Sequence, residues 1–474
     1  MTEKPNCLVR LAWAVIGSHR GSSRSLAAGI SLATCLVGLL AAIDCAQAAD
    51  VIVVCPDRFR DTLKPWVDHR RHEGLAVVVI KAERDAQALR RTIREAADSG
   101  TAYVMLVGDA PVIGTPCNTT SQVPISYADA HITTAWGSTP TMATDMLFGD
   151  FDSDGIPDAV VGRLPVDQPP QLKSLVDRII AHEQSDDFGA WRGNVQLTGG
   201  VGGFGFMADT AIESVTRTVV TNVLPAETRT SVVYASPGHR FFPAGESFTD
   251  AVLNRYQQGA RFWVYAGHGQ VTALDRVPRD ASGIPVLDQN SVKRLRRPAG
   301  GCPIAVMLAC FTGALDARED SLAEEMLLCE GGPIAVFAGS RMTMPYGNAT
   351  CTVGLIDGIF RQKLPRLGDA WLSTLREMHC ETHPDPSTSR VMIDALAGVI
   401  SPPGTSLVGE RREHMRLYNL IGDPTLRMQH PQSVTMELAP GHEFGQPIQL
   451  DVRSPISGAL TLSFDLPLGC LLYT

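Results

Sequence analysis

The chain has 474 residues, of which 44% are hydrophobic and 19% charged, and its formal net charge is -9. This composition is typical of a globular protein with enough apolar residues for one large domain or two to three smaller ones. A mildly acidic chain without runs of lysine or arginine gives no reason to expect a nucleic-acid partner.

The first fifty residues have the layout of a secretory signal. Three arginines precede an apolar stretch, Leu26–Ile43, and small residues follow at Ala46–Ala48. We therefore predict that residues 1–49 are a signal peptide and that the protein is secreted, either extracellular or periplasmic. The alternative is an uncleaved anchor, because the apolar stretch is about as long as a short membrane span. Later segments are too short and polar to span a bilayer, so we expect no membrane attachment after signal removal.

The next part of the chain alternates between predicted strands and helices. Asp50–Pro56, Leu75–Lys81 and Ala102–Gly108 are apolar runs rich in β-branched residues, and Glu83–Ala97 has helical spacing. This order predicts parallel strands joined by right-handed crossovers. Residues 111–145 are rich in Thr, Ser, Pro and Gly, and we expect a long irregular loop there.

The pattern resumes near Trp191, and its character changes after His430. Short runs separated by Gly, Pro and Ser then indicate the first strands of a β-sandwich, the last of them Ala459–Phe464. We therefore predict a caspase-like α/β fold with mostly parallel sheets, flanked by helices and arranged in two abutting subdomains. The predicted parts are an N-terminal subdomain at residues 50–190, a catalytic subdomain at 191–430, and the start of an Ig-like module at 431–474.

Two apolar runs end in reactive side chains. Arg261–Gln270 carries His268 between two glycines, and Pro303–Leu315 carries Cys310 just before a Thr-Gly pair. Ligands of parallel sheets bind beyond the carboxyl ends of the strands, so neighbouring strands would bring an imidazole and a thiol to one edge. The alternative is a core histidine and a buried free cysteine, a residue type that is often buried.

The His-Gly and Ala-Cys pairs, each after a hydrophobic strand, resemble the motif of the caspase-like (clan CD) cysteine peptidases. Further runs resemble the gingipain family in particular, and the resemblance covers roughly residues 50–430. Its more specific runs are Gly149–Pro165, with its Ile-Pro-Asp and Val-Gly-Arg sequences, and Tyr418–Pro424, with Asn-Leu-Ile-Gly-Asp-Pro.

The resemblance implies a role for each residue of the two strand ends. Cys310 would be the nucleophile that forms a thioester, and His268 would protonate the leaving amine. The backbone N–H groups of Gly269 and Cys310 would form the oxyanion hole. Gingipains carry a glutamate in the glycine-containing loop before the catalytic helix, whereas Gly199–Gly205 contains no acidic residue. The group that orients the imidazole is therefore unassigned.

The resemblance also implies two residues of a substrate pocket. Asp209 falls at about the place of the aspartate that makes some gingipains specific for arginine, and Tyr346 matches an aromatic pocket wall. If Asp209 has this role, the residue before the cleaved bond is basic. An acidic residue at a helix start is equally explained by the helix dipole.

Asp150–Asp158 contains the strongest metal signal of the sequence. Asp150, Asp152, Asp154 and Asp158 supply carboxylates around a turn at Gly155, which suits a hard cation such as Ca²⁺. The run starts like an EF-hand loop but lacks the glutamate at the twelfth position. We predict structural calcium here, with a solvated acidic turn as the alternative.

Residues 200–205 form a GxGxxG sequence between a predicted strand and a predicted helix, and Glu227 lies at about the offset of a ribose partner. A dinucleotide enzyme is therefore a further alternative. An exported protein encounters little NAD, so we expect no organic cofactor.

The sequence as a whole predicts a secreted cysteine endopeptidase that acts on proteins or peptides. A further expectation is a preference for a basic residue directly before the cleaved bond. One alternative is a catalytically silent binding or scaffold protein of the same fold. Another is a sorting transpeptidase, in which an amine rather than water resolves the thioester. The sequence does not determine the oligomeric state.

Overall fold

The structure is a computed structural model that describes residues 49–203, 205–225, 228–277, 283–298, 300–381, 388–401, 404–438 and 450–459. The predicted signal peptide, apart from its last residue, and Glu227 lie outside these residues. The strands are β1 Val51–Val54, β2 Val77–Ile80, β3 Tyr103–Val107, β4 Ser126–Asp129, β5 Thr141–Thr144, β6 Val160–Leu164, β7 Asn194–Gly199, β8 Arg229–Tyr234, β9 Phe262–Ala266, β10 Arg276–Val277, β11 Ile284–Pro285, β12 Ile304–Leu308, β13 Ala335–Gly339, β14 Tyr418–Ile421, β15 Thr435–Leu438 and β16 Leu450–Arg453.

Eleven α-helices lie among the described residues, together with short 3-10 and π segments. The helices are α1 Arg60–His72, α2 Ala86–Ala96, α3 Pro169–Gln184, α4 Phe206–Thr218, α5 Phe248–Gln257, α6 Gln289–Val292, α7 Leu322–Leu328, α8 Pro345–Ile356, α9 Leu367–His379, α10 Thr388–Ile400 and α11 Leu407–Leu417.

One sheet of ten strands forms the centre of the molecule, in the order β2-β1-β3-β6-β14-β13-β12-β9-β7-β8. All neighbours are parallel except β13 and β14, which are antiparallel. The sheet therefore consists of two parallel halves that run in opposite directions. Its central strands are apolar and buried, as expected when helices cover both faces. The predicted α/β class with a mostly parallel, caspase-like sheet is confirmed.

The two halves of the sheet meet at β14, which comes late in the chain. β14 pairs in parallel with β6, through Leu420 opposite Gly162, and antiparallel with β13, through Leu420 opposite Phe337. A single sheet thus crosses both of the predicted subdomains, and the boundary between them remains a prediction. Because of the reversal at β14, its carboxyl end lies at the same edge as the amino ends of β9 and β12.

The segment at residues 111–145 is more regular than the sequence indicates. Ser126–Asp129 and Thr141–Thr144 pair as an antiparallel hairpin, so the prediction of an irregular loop is partly wrong. Buried Arg163 holds this segment against the sheet, since it binds both carboxylate oxygens of Asp145 at 2.7 Å and the carbonyl oxygen of Val123 at 2.9 Å. A side chain from β6 therefore orders a stretch whose composition alone predicts a loop.

The C-terminal part of the described chain is a small exposed hairpin of β15 and β16. The third predicted strand of the Ig-like module, Ala459–Phe464, lies outside the described residues except for its first position. None of the helices in the described ranges is long and apolar enough to cross a bilayer. The seven cysteines of these ranges are all free thiols.

Candidate active site

The site is built from two neighbouring parallel strands, β9 and β12. Ala266, the last residue of β9, lies opposite Leu308, the last residue of β12. The N–H of Gly267 extends this pairing by donating to the carbonyl oxygen of Leu308 at 3.3 Å. His268 lies two residues after Ala266, and Cys310 lies two residues after Leu308. Both residues therefore follow the sheet at the same edge.

Cys310 sits in a tight turn that is fixed to the loop after β13. The next residue, Phe311, has a positive φ of 60°, and its N–H donates to the carbonyl oxygen of Arg341 at 3.1 Å. The thiol is half-buried, and the N–H of Thr343 donates to its Sγ at 3.3 Å. Thr343 therefore fixes the position of the sulfur at the end of β12.

His268 is exposed, and the glycine loop after β7 approaches its ring. A Cβ at Gly203 would lie 3.9 Å from Nε2 of His268, and Gly203 has a positive φ of 96°. The absence of side chains at this point leaves space beside the imidazole for a substrate backbone. The GxGxxG loop therefore borders the thiol–imidazole pair.

Asp275 is a functional candidate that sequence reasoning missed. Its Oδ2 accepts hydrogen bonds from the N–H of Val201 at 2.9 Å and of His268 at 3.2 Å. The Tyr265 hydroxyl lies 3.2 Å from the same oxygen and donates to the carbonyl oxygen of His268 at 2.8 Å. Asp275 therefore ties the backbone of His268 to the glycine loop, although no motif marks it. Only the tertiary structure reveals this residue, because a turn at residues 270–274 brings the Asp275 carboxylate back to His268.

The two predicted oxyanion donors lie next to each other. A Cβ at Gly269 would come 2.7 Å from the carbonyl oxygen of Cys310, so only glycine fits at this close approach. Within the described part of the chain, neither the Gly269 N–H nor the Cys310 N–H donates to a protein acceptor. Both groups are therefore available to an incoming carbonyl oxygen.

Asp209 lies in the first turn of α4 and folds back towards the glycine loop. Its Oδ2 accepts a hydrogen bond from the N–H of Gly203 at 3.1 Å. Gly203 also borders the His268 ring, so the carboxylate and the imidazole flank the same glycine. A single glycine therefore separates the carboxylate of Asp209 from the His268 ring.

Tyr346 begins α8, three residues after the Thr343 that contacts the thiol. Its side chain is only 8% exposed, and its hydroxyl donates to Asp394 at 2.7 Å while accepting from Arg411 at 2.6 Å. It packs against Ile393 of α10. The ring thus supports the helices behind the site, and its role as a pocket wall stays a prediction.

Three of the four predicted calcium ligands come together. The carboxylates of Asp150, Asp152 and Asp158 place oxygens within 4.8 Å of one another, whereas Asp154 is outside the cluster and caps its own turn by accepting from Ile156 at 2.7 Å. Asp150 is buried, and its Oδ1 binds no partner among the described residues. Burial raises the pKa of Asp150, which a bound cation would reverse.

The model of peptidase family C25 matches residues 45–429. The crystal structure of the Arg-specific cysteine proteinase gingipain R (RgpB) is 17% identical, with a TM-score of 0.57 over 82% of this chain and 81% of that one. The complex of the Porphyromonas gingivalis RgpB pro- and mature domains is 17% identical, with a TM-score of 0.52 over 82% and 83%.

A further structure, described as a protease, is 15% identical, with a TM-score of 0.58 over 85% of this chain and 84% of that one. No curated protein sequence matches the chain significantly. At these identities the structural likeness shows only that the fold is shared. Membership of the family rests on the match to the family model.

Proposed function

The chain belongs to peptidase family C25 and is a cysteine peptidase, and we propose that it cleaves peptide bonds with Cys310 and His268. The observation that carries this proposal is the register of β9 and β12, because it ends both strands at one edge with the thiol and the imidazole at matching positions. The partners are accordingly protein or peptide substrates.

In the proposed reaction the Cys310 thiolate attacks the carbonyl carbon of the cleaved bond. The carbonyl oxygen becomes an oxyanion, which the free N–H groups of Gly269 and Cys310 stabilise. His268 donates its proton to the leaving amine as the C–N bond breaks and a thioester forms. A water molecule, deprotonated by the same imidazole, then hydrolyses the thioester and regenerates the thiol.

Asp275 has the role of a positioning residue in this proposal. It holds the backbone of His268 and the glycine loop together through a single carboxylate oxygen. A rigid backbone at this point limits the rotations of the imidazole relative to Cys310, and misplacement by about 1 Å can reduce a rate by about 100-fold. The chain thus supplies an acid beside the histidine, although not in the glycine loop.

We further propose that Asp209 gives the enzyme a preference for a basic residue before the cleaved bond. Its carboxylate accepts the N–H of Gly203, the glycine that also borders the His268 ring. A guanidinium or ammonium group passing this glycine would reach the carboxylate and form a charge-assisted hydrogen bond. RgpB, whose fold this chain shares, is described as Arg-specific.

Two further parts of the proposal concern processing and stability. We propose that residues 1–49 direct export, on the basis of their signal-like sequence. We also propose that Asp150, Asp152 and Asp158 hold a structural Ca²⁺, which would satisfy the buried Oδ1 of Asp150 and neutralise the mutual repulsion of the carboxylates.

The test is a kinetic comparison of the wild type with Cys310→Ala, assayed with thiol and Ca²⁺ on peptides that carry Arg, Lys or Leu before the cleaved bond. We expect Cys310→Ala to lose about 1,000-fold or more of the activity. The control Cys380→Ala changes an exposed thiol and should retain full activity. Unchanged cleavage by the Cys310 variant would refute the assignment of the nucleophile.

The same assay addresses specificity. Asp209→Asn should lower kcat/KM for the Arg and Lys peptides by at least about tenfold and leave the Leu peptide unchanged, because only the cationic side chains lose a partner. If Asp209→Asn keeps the preference for Arg or Lys, Asp209 does not form part of the substrate pocket.

A further inference from the structure

A second polar site lies at the edge of the sheet opposite Cys310 and His268. Arg192 lies two residues before the start of β7, and Arg261 directly precedes β9, so both arginines lie near the amino ends of strands. Both are buried, with exposures of 5% and 7%. Two guanidinium groups are thus withdrawn from water at the amino ends of β7, which leads to the glycine loop, and of β9, which leads to His268.

The hydrogen-bond partners of these arginines are mostly neutral. Arg192 donates through Nε to the carbonyl oxygen of Asp187 at 2.6 Å, while its Nη2 is buried without a partner. Arg261 donates through Nη2 to the carbonyl oxygen of Met428 at 3.1 Å, and the same nitrogen lies 3.1 Å from Nδ1 of His430. Among the described residues, neither arginine has a carboxylate oxygen within 4.0 Å.

The charge of the pair is therefore incompletely compensated by the chain. The nearest carboxylate is that of Asp187, which favours the charged form of Arg192 but binds Trp191 Nε1 at 3.0 Å and the Gly189 N–H at 2.7 Å. Burial and the charge of Arg192 lower the pKa of Arg261 to about 10. Burial of unpaired charges is unfavourable, so a counter-ion would stabilise this region.

The two guanidinium groups line a cavity of about 10 Å³, which is on the order of the space that one water-sized particle occupies. The remaining lining residues are His182, Trp191, Cys302, Ile304, Leu426, Arg427 and Met428. Burial and the neighbouring arginines lower the pKa of His182 to about 4, so its ring is neutral at pH 7. The cavity thus offers cationic donors, with no acidic side chain among its lining residues.

We propose that this cavity binds a single monovalent halide ion, chloride under physiological conditions, between Arg192 and Arg261. A monatomic anion is the smallest anion that two guanidinium groups can share. The unpartnered Nη2 of Arg192 supplies a charge-assisted donor, and guanidinium groups are weakly hydrated cations that suit a large anion. The ion would fix the starts of β7 and β9 and thereby stabilise the strands beneath the catalytic edge.

Thermal unfolding of the full chain in different sodium salts at equal ionic strength tests this proposal. We expect chloride and bromide to raise the Tm by at least about 2 °C relative to gluconate, because a ligand that binds only the folded state stabilises it by mass action. In crystals grown with bromide, an anomalous peak should lie between the two arginines. Equal Tm values in chloride and gluconate, or a cavity without bromide, would overturn the proposal. Stabilisation by acetate but not by chloride would overturn the halide assignment in favour of a carboxylate.

Two variants localise the effect. Arg192→Gln should lose the chloride-dependent rise in Tm, whereas Arg296→Gln, which changes an exposed arginine, should keep it. A full chloride effect in Arg192→Gln would contradict the site. If this variant does not fold, the bromide peak in the wild type decides the question.

Discussion

Two groups of buried arginines lie at the same edge of the sheet and are neutralised in different ways. Arg70 of α1 binds the carboxylate of Glu183 at 2.6 Å and that of Asp423 at 2.7 Å. Arg192 and Arg261 bind mainly carbonyl oxygens and leave a small cavity between them. The first group is paired with carboxylates of the chain, although Nε of Arg70 has no hydrogen-bond partner among the described residues, whereas the second has room for an external anion.

The Arg70 group shows how side chains that are distant in sequence neutralise a buried charge. Glu183 Oε1 also accepts the N–H of Arg427, and Asp423 Oδ1 accepts both the N–H and the hydroxyl of Thr425. Burial acts to raise the pKa of Asp423, but the neighbouring charge of Arg70 lowers it, and the pKa is lowered overall. These bonds connect α1, α3 and the segment after β14, so they join elements far apart in sequence.

The comparison extends to the rest of the molecule. Buried charges are balanced by an opposite side chain at Arg70 and by a proposed bound ion at Arg192 and Arg261, and a proton balances the pair Asp109 and Glu324. Arg178, in contrast, binds only backbone carbonyl oxygens. The catalytic edge differs again, because the N–H groups of Gly269 and Cys310 have no acceptor among the described residues.

Replacing Arg70 should have the largest effect on stability. Arg70→Met leaves the carboxylates of Glu183 and Asp423 buried without their main partner, which destabilises by about 3–5 kcal/mol. Denaturant unfolding measures this loss, and Lys64→Met on the exposed face of α1 is the control. A loss of less than about 1 kcal/mol would show that the internal pairing is unimportant for stability.

Calcium removal tests the acidic cluster, where an ion would balance carboxylates. Ca²⁺ at about 100 times its Kd should stabilise the wild type by about 2.7 kcal/mol relative to the chelated protein. Asp150→Asn should abolish this increment, and Asp154→Asn should keep it, since Asp154 lies outside the cluster. Calorimetry in Ca²⁺ and in chelator gives the comparison, and equal behaviour of the two variants would argue against the site.

Asp275→Asn tests whether an acid outside the glycine loop positions His268. The amide supplies a neutral acceptor in place of the carboxylate, so we expect kcat to fall by about 10- to 100-fold with a small change in KM. The pH profile of kcat should also change in the part that depends on proton transfer by His268. Asp177→Asn is an exposed control. A loss of stability with an unchanged kcat of the folded enzyme would assign Asp275 a structural role only.

Asp109, which is half-buried, and Glu324, which is buried, form a pair of carboxyl groups balanced by a proton. Burial raises the pKa of Asp109 to about 6, and burial together with Asp109 raises that of Glu324. Because the folded state holds the proton more tightly, this contribution to stability is present below about pH 4 and is lost as the pH rises through about 6. Asp109→Asn should remove this dependence, changing the slope by up to about 1.4 kcal/mol per pH unit. Urea unfolding between pH 4 and 7 measures it, and an unchanged slope would contradict the shared proton.

Much of the fold could be predicted from the order of apolar runs. The strands before His268 and Cys310 are short, β-branched and bounded by glycine or proline, and these local features persist in the structure. The same is true of the capping box at Ser321 and Glu324, where both reciprocal hydrogen bonds form. Asp150–Asp158 likewise forms its turn through short-range bonds, because its ligands are close in sequence.

The features that sequence reasoning missed depend on contacts between distant residues. Glu183 is the next-to-last residue of a helix, which suits exposure to solvent, yet it is buried because Arg70 and the N–H of Arg427 converge on it. Asp275 follows His268 by seven residues without any motif, and only the turn between them brings its carboxylate back. Residues 111–145 have the composition of a loop, yet Arg163 and strand pairing order part of them.

The sequence by itself determined the alternation of strands and helices, the two strands that end in His268 and Cys310, and the family. These follow from side-chain periodicity and from motifs whose residues are local in the chain. Only the tertiary structure decided that β14 joins two opposed halves into one sheet, that Asp275 contacts His268, and that Arg192 and Arg261 share a cavity. The physical reason is that strand pairing and charge compensation act between residues that are distant in sequence and adjacent only after folding.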